Sequence, residues 1–461
     1  MRIRLCTLLL LATLAGPICA DDLVLKNVNV ADVESGAIVA GRSVVVSDGY
    51  IKEVGAQESV HAPAGARVID GSGRYLMPAL WDMHTHPMEP EALSMLVANG
   101  VGGTRIMWGL PRHLEWRARV ELGELRGPRL LIAGPIIEGV PPAQAVSVVD
   151  TEGRRLVKTF AEGVAEVRRQ KAAGFDYIKV YNNIPLDAYQ GLVAEADRLR
   201  MPVVGHVPFA AGIHGALAAR QKSIEHLRGY IEKLVPADAP IQPGIDMRSR
   251  TLAWEYADLS RIPQLVRATR DAGAWQCPTL GTSIYTAPSS AIERYLATPE
   301  AEYLDPQTRE AFRHRGRVKW LSNFTEADFE RATRANDKQA VLLRAMHAAG
   351  VPLLAGTDSN SFGFALHREL EALVAVGLSP GEALQTATIN PARFAGLEKV
   401  VGRVATGYAA DLILLDANPL QDIRNTSRIN AVILRGQLLD RAALDTMLEK
   451  ANEPLRTDTK R

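Results

Sequence analysis

The sequence has few cysteines, few aromatic residues and no excess of charge of either sign. Of its 461 residues, three are cysteines and 6% are aromatic, and 53 Lys and Arg nearly balance 52 Asp and Glu. No block of basic residues indicates a nucleic-acid partner, and no polybasic patch indicates binding to a membrane surface. Outside the first twenty residues, no apolar run is long enough to span a bilayer. We therefore expect a globular protein with neither kind of partner.

The first twenty residues differ from the rest of the chain. Two arginines precede a short apolar stretch, and small residues end it at Ala20. Because this is the pattern of a secretory signal peptide, we expect residues 1–20 to be cleaved. The mature protein would then be periplasmic or secreted and would have no contact with the membrane; a lipidated Cys19 is the less favoured alternative. Cys277 would be the one remaining cysteine, so no internal disulfide is expected.

Short strands are expected at both ends of the mature chain. Residues 21–77 and 398–440 alternate apolar and polar residues, with Gly and Asp at the turns. Because β-rich pieces at opposite chain ends often pair, the pattern predicts one small β-sandwich domain built from both. Two separate decorations are the alternative. Residues 441–461 are expected to form a polar tail.

Between these pieces, residues 78–397 alternate apolar, strand-like segments with longer segments of helical period. That alternation is typical of βα units around a parallel sheet. It predicts an α/β protein with a (β/α)8 TIM barrel, and a doubly wound open sheet is the alternative. The eight strands are expected at 78–83, 104–107, 129–133, 176–180, 202–206, 222–225, 274–279 and 351–357.

One connection in the predicted barrel is unusually long. Residues 281–325 are polar and aromatic, and they follow the seventh strand. Connections of this length are often lids or binding loops. The segment is therefore either a lid over the site or a surface decoration.

Side chains that can bind metal recur at one end of the predicted strands. In a strand, residues i and i+2 point to the same face. The two histidines of the stretch WDMHTHP can therefore bind the same ligand. Active sites of parallel barrels lie at the carboxyl ends of the strands. Each residue alone is weak evidence, but the joint pattern is more specific. The residues are His84, His86, Lys179, His206, His226 and Asp358.

This ordered set resembles the amidohydrolase superfamily, in the binuclear branch that carries a carboxylated lysine. The stretches SIEH, LLAGTDS and GLSPGEALQTATINPA resemble its imidazolonepropionase-like and Xaa-Pro dipeptidase-like subgroup. The resemblance covers nearly all of the mature chain. It departs at the second strand, where the subgroup tends to have Arg-Asp and this chain has Arg105 followed by Ile106.

The resemblance implies two divalent ions. His84, His86 and Asp358 would hold one ion, His206 and His226 would hold the other, and Lys179 would bridge them as N6-carboxylysine. A bare lysine would add a cation to an electropositive pocket, whereas a carbamate brings negative charge. Nitrogen and oxygen ligands without thiolate favour zinc, with manganese or cobalt as alternatives.

The predicted function is hydrolysis of amide bonds in small molecules by a metal-bridging hydroxide, with Asp358 as general base and then acid. The substrate would be a dipeptide, with a preference such as Xaa-Pro, or an N-acyl amino acid. A lactonase or phosphotriesterase-type hydrolase is the alternative. A deaminase is less favoured because Lys179 indicates two metals, and a metal-bound solute-binding protein is the third class. Self-association of the chain stays open.

Three further residues are candidates for contact with the substrate. Tyr230 would donate to the developing oxyanion, although a packing role is equally compatible. Arg105 would bind a substrate carboxylate, or else form a structural ion pair. His367 follows the eighth strand closely and would contact the substrate.

Overall fold

The computed structural model describes residues 22–56, 59–140 and 151–457, so the predicted signal peptide lies outside the described residues. The strands are β1 Leu23–Asp32, β2 Ala37–Ser47, β3 Tyr50–Ala56, β4 Arg67–Asp70, β5 Tyr75–Pro78, β6 Leu80–Thr85, β7 Val101–Ile106, β8 Arg129–Ile132, β9 Ile136–Glu138, β10 Arg154–Leu156, β11 Ile178–Val180, β12 Val203–Gly205, β13 Ser223–Glu225, β14 Trp275–Cys277, β15 Leu412–Leu415, β16 Ile429–Leu434 and β17 Gln437–Asp440.

The α-helices alternate with the central strands. They are α1 Glu91–Ala98, α2 Pro111–Glu121, α3 Phe160–Ala173, α4 Leu186–Arg198, α5 Gly212–Ala218, α6 Ile231–Leu234, α7 Met247–Ala253, α8 Ile262–Asp271, α9 Ser289–Leu296, α10 Pro306–Arg313, α11 Glu326–Ala348, α12 Phe364–Val376, α13 Pro380–Thr386, α14 Ile389–Ala395 and α15 Arg441–Thr457. Within the described ranges, no helix has both the length and the apolar character needed to cross a bilayer.

Helix ends follow local sequence signals. Thr159 caps α3 by accepting a hydrogen bond from the Glu162 amide, and Gly174 ends that helix in the left-handed conformation. Ser379 and Glu382 form a capping box at the start of α13. These signals are local in sequence, so the chain alone predicts them.

The central strands β6, β7, β8, β11, β12, β13 and β14 pair in parallel in that order. Regular backbone hydrogen-bond ladders join most neighbours, and a bridge from Ala133 to Tyr177 joins β8 to the start of β11. The predicted eighth strand forms no regular ladder. Instead, Leu353 bridges Gln276 of β14, while Ala355 accepts a hydrogen bond from the Met83 amide of β6. These bonds connect eight parallel segments in a closed order.

Strands from both chain ends form one eight-stranded hydrogen-bonded sheet. Its order is β17-β16-β15-β5-β1-β2-β3, and β4 also pairs with β1. Strand β15 lies antiparallel to β5 and so joins the two ends of the chain. Apolar side chains such as Leu25, Leu76 and Leu412 fill the core against this sheet.

Two segments for which the sequence predicted no elements contain helices. The predicted polar tail begins with helix α15, in which Leu444, Met447 and Ala451 recur at helical spacing and are buried. The connection 281–325 is largely short helices, and α9 and α10 share a small core that includes Tyr295 and Phe312. In both segments, apolar residues at helical spacing lie among charged residues.

Candidate metal centre

The predicted ligands converge at the carboxyl ends of the parallel strands. His84 lies at the end of β6 and His86 follows it, and Lys179 lies in β11. His206 follows β12 and His226 follows β13. The amide of Asp358, after the eighth segment, donates to the carbonyl of His84 at 2.8 Å, which fixes the last ligand beside the first.

Asp358 is at the centre of the cluster. Its Oδ1 lies 2.9 Å from Nε2 of His86 and 3.8 Å from Nε2 of His84. Its Oδ2 lies 3.6 Å from Nε2 of His226. The rings of His206 and His226 are 5.0 Å apart between centroids. One carboxylate therefore faces histidines from both halves of the predicted site.

Three of the four histidines are oriented by hydrogen bonds at Nδ1. The partners are Glu225 for His84 at 2.9 Å, Asn182 for His206 at 2.8 Å and Thr279 for His226 at 2.6 Å. An acceptor at Nδ1 fixes the tautomer in which Nε2 carries a lone pair. This is the arrangement in which histidine binds a metal ion.

Three of the four histidines favour their neutral form. Burial, together with the charge of Lys179, lowers the pKa of His84 to about 4, while Asp358 opposes the shift. Burial likewise lowers the pKa of His206 and of His226 well below the ordinary value. Burial alone would raise the pKa of Asp358, but His84 and His86 hold it below its ordinary value. At neutral pH these three imidazoles are thus neutral and Asp358 is a carboxylate.

Lys179 is buried beside this cluster, with 1% of its surface exposed. Burial lowers the pKa of its amine to about 8, although Glu225 and Asp358 oppose the shift. An appreciable fraction of the amine is therefore uncharged near neutral pH. An uncharged amine is the form that can add carbon dioxide to become a carbamate.

Glu225 orients the candidate ligand His84, and the sequence did not point to it. It is fully buried, it accepts from Nη2 of Arg105 at 3.0 and 3.1 Å, and it accepts from Ser223. Burial would raise the pKa of Glu225, but Arg105 and His84 hold it well below its ordinary value. Its carboxylate therefore positions His84 and is itself neutralised by Arg105. The sequence signal for this ion pair is that Arg105 and Glu225 each lie within an apolar strand, β7 and β13.

Asp82 holds the backbone next to the candidate ligands His84 and Asp358. Its carboxylate accepts from the amides of His84 and Thr357 and from the Thr357 hydroxyl at 2.7 Å. Burial raises the pKa of Asp82 to about 7. Asp82 joins the strand that carries His84 to the segment that leads into Asp358.

Three residues of the site have left-handed backbone conformations. The φ angles are 60° at His226, 50° at Thr279 and 47° at Asp358. Such conformations are costly for residues other than glycine, and they cluster at functional sites. Each one here turns the chain immediately after a parallel strand or segment.

Three predicted contacts are corrected by the structure. Arg105 is fully buried, and its Nε donates to the carbonyl of Met83 while Nη2 binds Glu225, so it forms the structural ion pair. Tyr230 is fully buried, and its hydroxyl pairs with Thr269. His367 is buried between Thr426 and the carbonyl of Asn99. These residues lie near strand ends in the sequence. Their side chains, however, form hydrogen bonds with polar groups of the protein core and not with a substrate.

An aromatic wall borders the cluster. Tyr181 stacks on His206 with a centroid distance of 4.1 Å, and Trp108 lies edge-on to His86 at 6.2 Å. Arg154 lies over both Tyr181 and Trp108. Flat side chains of this kind suit a pocket for a small molecule.

The donor set fits a divalent metal ion. One ligand atom each from His84, His86 and Asp358 lie within 4.8 Å of one another. His226 faces the other oxygen of Asp358. Imidazoles and a carboxylate are ligands that zinc and similar ions prefer. Burial raises the pKa of the nearby Cys277, so this residue stays a thiol. A cluster of this composition can hold a metal ion and deliver or accept a proton at Asp358.

A model of the amidohydrolase family matches residues 75–439. The chain belongs to the amidohydrolase family. Enzymes of this family are hydrolases that act on C–N bonds and generally use divalent metal ions, and His84, His86 and Asp358 of this amidohydrolase could hold one.

Known proteins resemble this amidohydrolase over most of its length. An imidazolonepropionase of Cereibacter sphaeroides is 25% identical over 412 residues, which are 86% of this chain and 93% of the relative. The solved structure of a bottromycin amidohydrolase has a TM-score of 0.72 and 26% identity, with 93% and 90% of the two chains covered. A Xaa-Pro dipeptidase with methionine bound in its active site has a TM-score of 0.67 and 20% identity, with 91% and 100% covered. The last likeness shows the fold alone.

Proposed function

We propose that this amidohydrolase is a binuclear, metal-dependent hydrolase of amide bonds in small molecules. The favoured substrates are dipeptides, with a preference such as Xaa-Pro, and N-acyl amino acids. The observation that carries the proposal is the convergence of four histidines, Asp358 and a buried lysine at the ends of a closed set of parallel strands. This arrangement supports a (β/α)8 barrel with the site at its carboxyl end.

The ligand assignment is part of the proposal. His84, His86 and Asp358 would hold one ion, His206 and His226 would hold the other, and Lys179 would join them as N6-carboxylysine. The burial of Lys179 and the lowered pKa of its amine support the carbamate. Zinc ions in such a site lower the pKa of bound water and polarise a substrate carbonyl.

The residues of the chain have separable roles in this hydrolysis. Asp358 accepts the proton of the attacking water at one carboxylate oxygen and delivers it to the leaving nitrogen. Glu225, Asn182 and Thr279 hold the histidine rings in position. Tyr181 and Trp108 exclude water from one side of the pocket.

A second candidate is hydrolysis of a C–N bond within a ring. The extended similarity to an imidazolonepropionase, whose name denotes such a substrate, favours it. Both candidates use the same site, so the choice depends on the pocket and not on the metal ligands.

The test is metal quantitation followed by a substrate screen. Purified protein is analysed for metal content, and then assayed on a library of dipeptides, N-acyl amino acids, cyclic amides, lactones and phosphotriesters. We expect two ions per chain and turnover of linear amides. One ion or fewer in fully active protein would contradict the binuclear site, and turnover of only lactones or phosphotriesters would contradict the amide substrate. The signal peptide predicts that the native enzyme is found in the periplasm or the medium.

A further inference from the structure

Two arginines beside the metal centre have buried nitrogens without partners in the described part of the chain. Arg228 lies two residues after His226, and its Nε is buried without a hydrogen-bond partner among the described residues. Arg250 is only 9% exposed, and within the same ranges its Nε and Nη1 have no partner either. Arginine carries a permanent charge, so both side chains place uncompensated donors in the interior.

The backbone places Arg228 next to the candidate ligands. It lies two residues after His226, whose Nε2 is 3.6 Å from Oδ2 of Asp358. Its main-chain amide donates to the carbonyl of Glu225 at 3.1 Å, and the side chain of Glu225 orients His84. Arg228 therefore belongs to the turn that carries one candidate ligand and borders another.

Packing connects Arg250 to the same side of the centre. Its guanidinium lies over the ring of Phe209, 5.5 Å from the centroid. The Phe209 amide donates to the carbonyl of Asn182, and the Asn182 side chain orients His206. The charge of Arg228 also acts on Arg250, so the two cations lie near each other.

The acids of this region leave the buried arginine nitrogens without acceptors. Glu232 interacts with both arginines, Asp358 with Arg228 and Asp246 with Arg250. Within the described ranges, however, Nε of Arg228 and Nε and Nη1 of Arg250 have no hydrogen-bond acceptor, and Oε2 of Glu232 has no donor. Leaving charged donors buried without acceptors is costly, so an anion from outside the chain is the fitting partner.

We propose that Arg228 and Arg250 form an anion-binding subsite that holds a carboxylate of the substrate next to the metal centre. Guanidinium groups bind carboxylates by paired, charge-assisted hydrogen bonds. This subsite rests on the proposed hydrolase function, because that function is what places a substrate carboxylate beside the scissile bond. The subsite also provides a cation for the substrate carboxylate. Arg105 cannot take this part, because it is already paired with Glu225.

The test compares ligands that differ only in the carboxylate. Binding of free L-amino acids, including L-proline and L-methionine, and of their carboxamides to the metal-loaded protein is measured by calorimetry. We expect the free acids to bind about tenfold to a hundredfold more tightly, as charge-assisted hydrogen bonds predict. Arg228→Met should abolish this preference, Arg250→Met should reduce it, and Arg228→Lys should restore part of it.

Arg270→Met is the matched control, because Arg270 is exposed and pairs with Asp271 on the surface. It should bind like the native protein. Equal binding of acids and amides by the native protein, or an unchanged preference in Arg228→Met, would overturn the subsite.

Melting temperature and metal content separate binding from folding. Since the Arg228 side chain holds a buried donor without an acceptor among the described residues, Arg228→Met should keep both metals and melt at the native temperature or above. Loss of metal or a marked fall in Tm would indicate a structural role and overturn the proposal. A carboxylate preference in a protein that hydrolyses no amide would contradict the proposed function and still support the subsite.

Discussion

At the scale of single residues, Asp358 is the side chain on which the chemistry depends most. It contacts His86 directly and lies within 4 Å of His84 and His226. Asp358 is proposed both to bind a metal ion and to transfer a proton. A substitution that removes its charge but keeps its shape should affect these two roles differently.

We predict that Asp358→Asn retains at least one metal ion per chain and loses turnover by roughly 10²–10⁴-fold, the usual contribution of general acid–base catalysis. Metal analysis and kcat on the best substrate of the screen check this. A variant with near-native kcat would show that Asp358 is a ligand without a part in proton transfer.

A second prediction tests whether Lys179 bridges the two metal ions. Lys179→Ala removes the group that would become the bridging carbamate, so activity should be lost. Short carboxylic acids added together with metal should restore part of it, because they can occupy the space of the carbamate. Activity is measured with and without added acetate or propionate. Full activity of the variant without any addition would exclude the bridge.

Glu225 connects the ligand His84 to the buried cation Arg105. Glu225→Ala would leave Arg105 buried without its partner, and breaking a buried ion pair costs about 3–5 kcal/mol. Loss of the partner of a ligating histidine also weakens metal binding by about 10–100-fold. Denaturant unfolding and metal titration measure the two effects. Glu225→Gln keeps the shape and should lie between the native protein and the Ala variant; equal stability of all three would refute this role.

At the scale of elements, the helical segment 281–325 lies after the seventh strand, on the face that carries the site. Leu280 and Gly281 donate to the buried Glu369 of α12, and this anchors the start of the segment. Tyr285 interacts with Asp358 electrostatically and packs edge-on to Trp320 at 5.4 Å. These contacts place its aromatic residues towards the metal centre.

We therefore predict that the double substitution Tyr285→Ala and Trp320→Ala raises KM severalfold while metal content is kept. The expected reason is that the pair covers part of the substrate pocket. Steady-state kinetics check this, with Tyr50→Ala as control because Tyr50 is about half exposed on the distant β3. Unchanged KM and substrate choice would leave the segment as a surface decoration.

At the scale of the whole molecule, buried neutral histidines make stability depend on pH. His113 and His367 lie outside the metal centre, and burial lowers the pKa of each to about 4. In the unfolded chain both would take up protons near pH 6.5. Between about pH 6.5 and pH 4 the unfolded chain therefore binds more protons than the folded chain.

Stability should consequently fall as the pH is lowered through this range and be fully present above it. Melting temperatures of metal-free protein from pH 7.5 to pH 4.5 check the direction. His113→Gln and His367→Gln should each flatten the slope, whereas His61→Gln, in an exposed position, should not. A melting temperature that is constant or rises towards pH 4.5 would contradict the prediction.

The sequence by itself determined the parts that depend on local pattern. Alternating apolar segments predicted the parallel strands and the pairing of the chain ends. The candidate metal ligands could be proposed from the sequence because each lies in the last part of a predicted strand or directly after it. Parallel strands bring their carboxyl ends together whatever the packing between them.

Only the tertiary structure decided which polar side chains face the ligands and which are used in the core. Arg105 could be assigned to a substrate until Glu225, 120 residues away in sequence, was seen to bind it. Arg228 and Arg250 carry no local signal, because lacking a partner is a property of the folded interior. Charges are balanced across elements that are distant in the chain, so their pairing requires the three-dimensional arrangement.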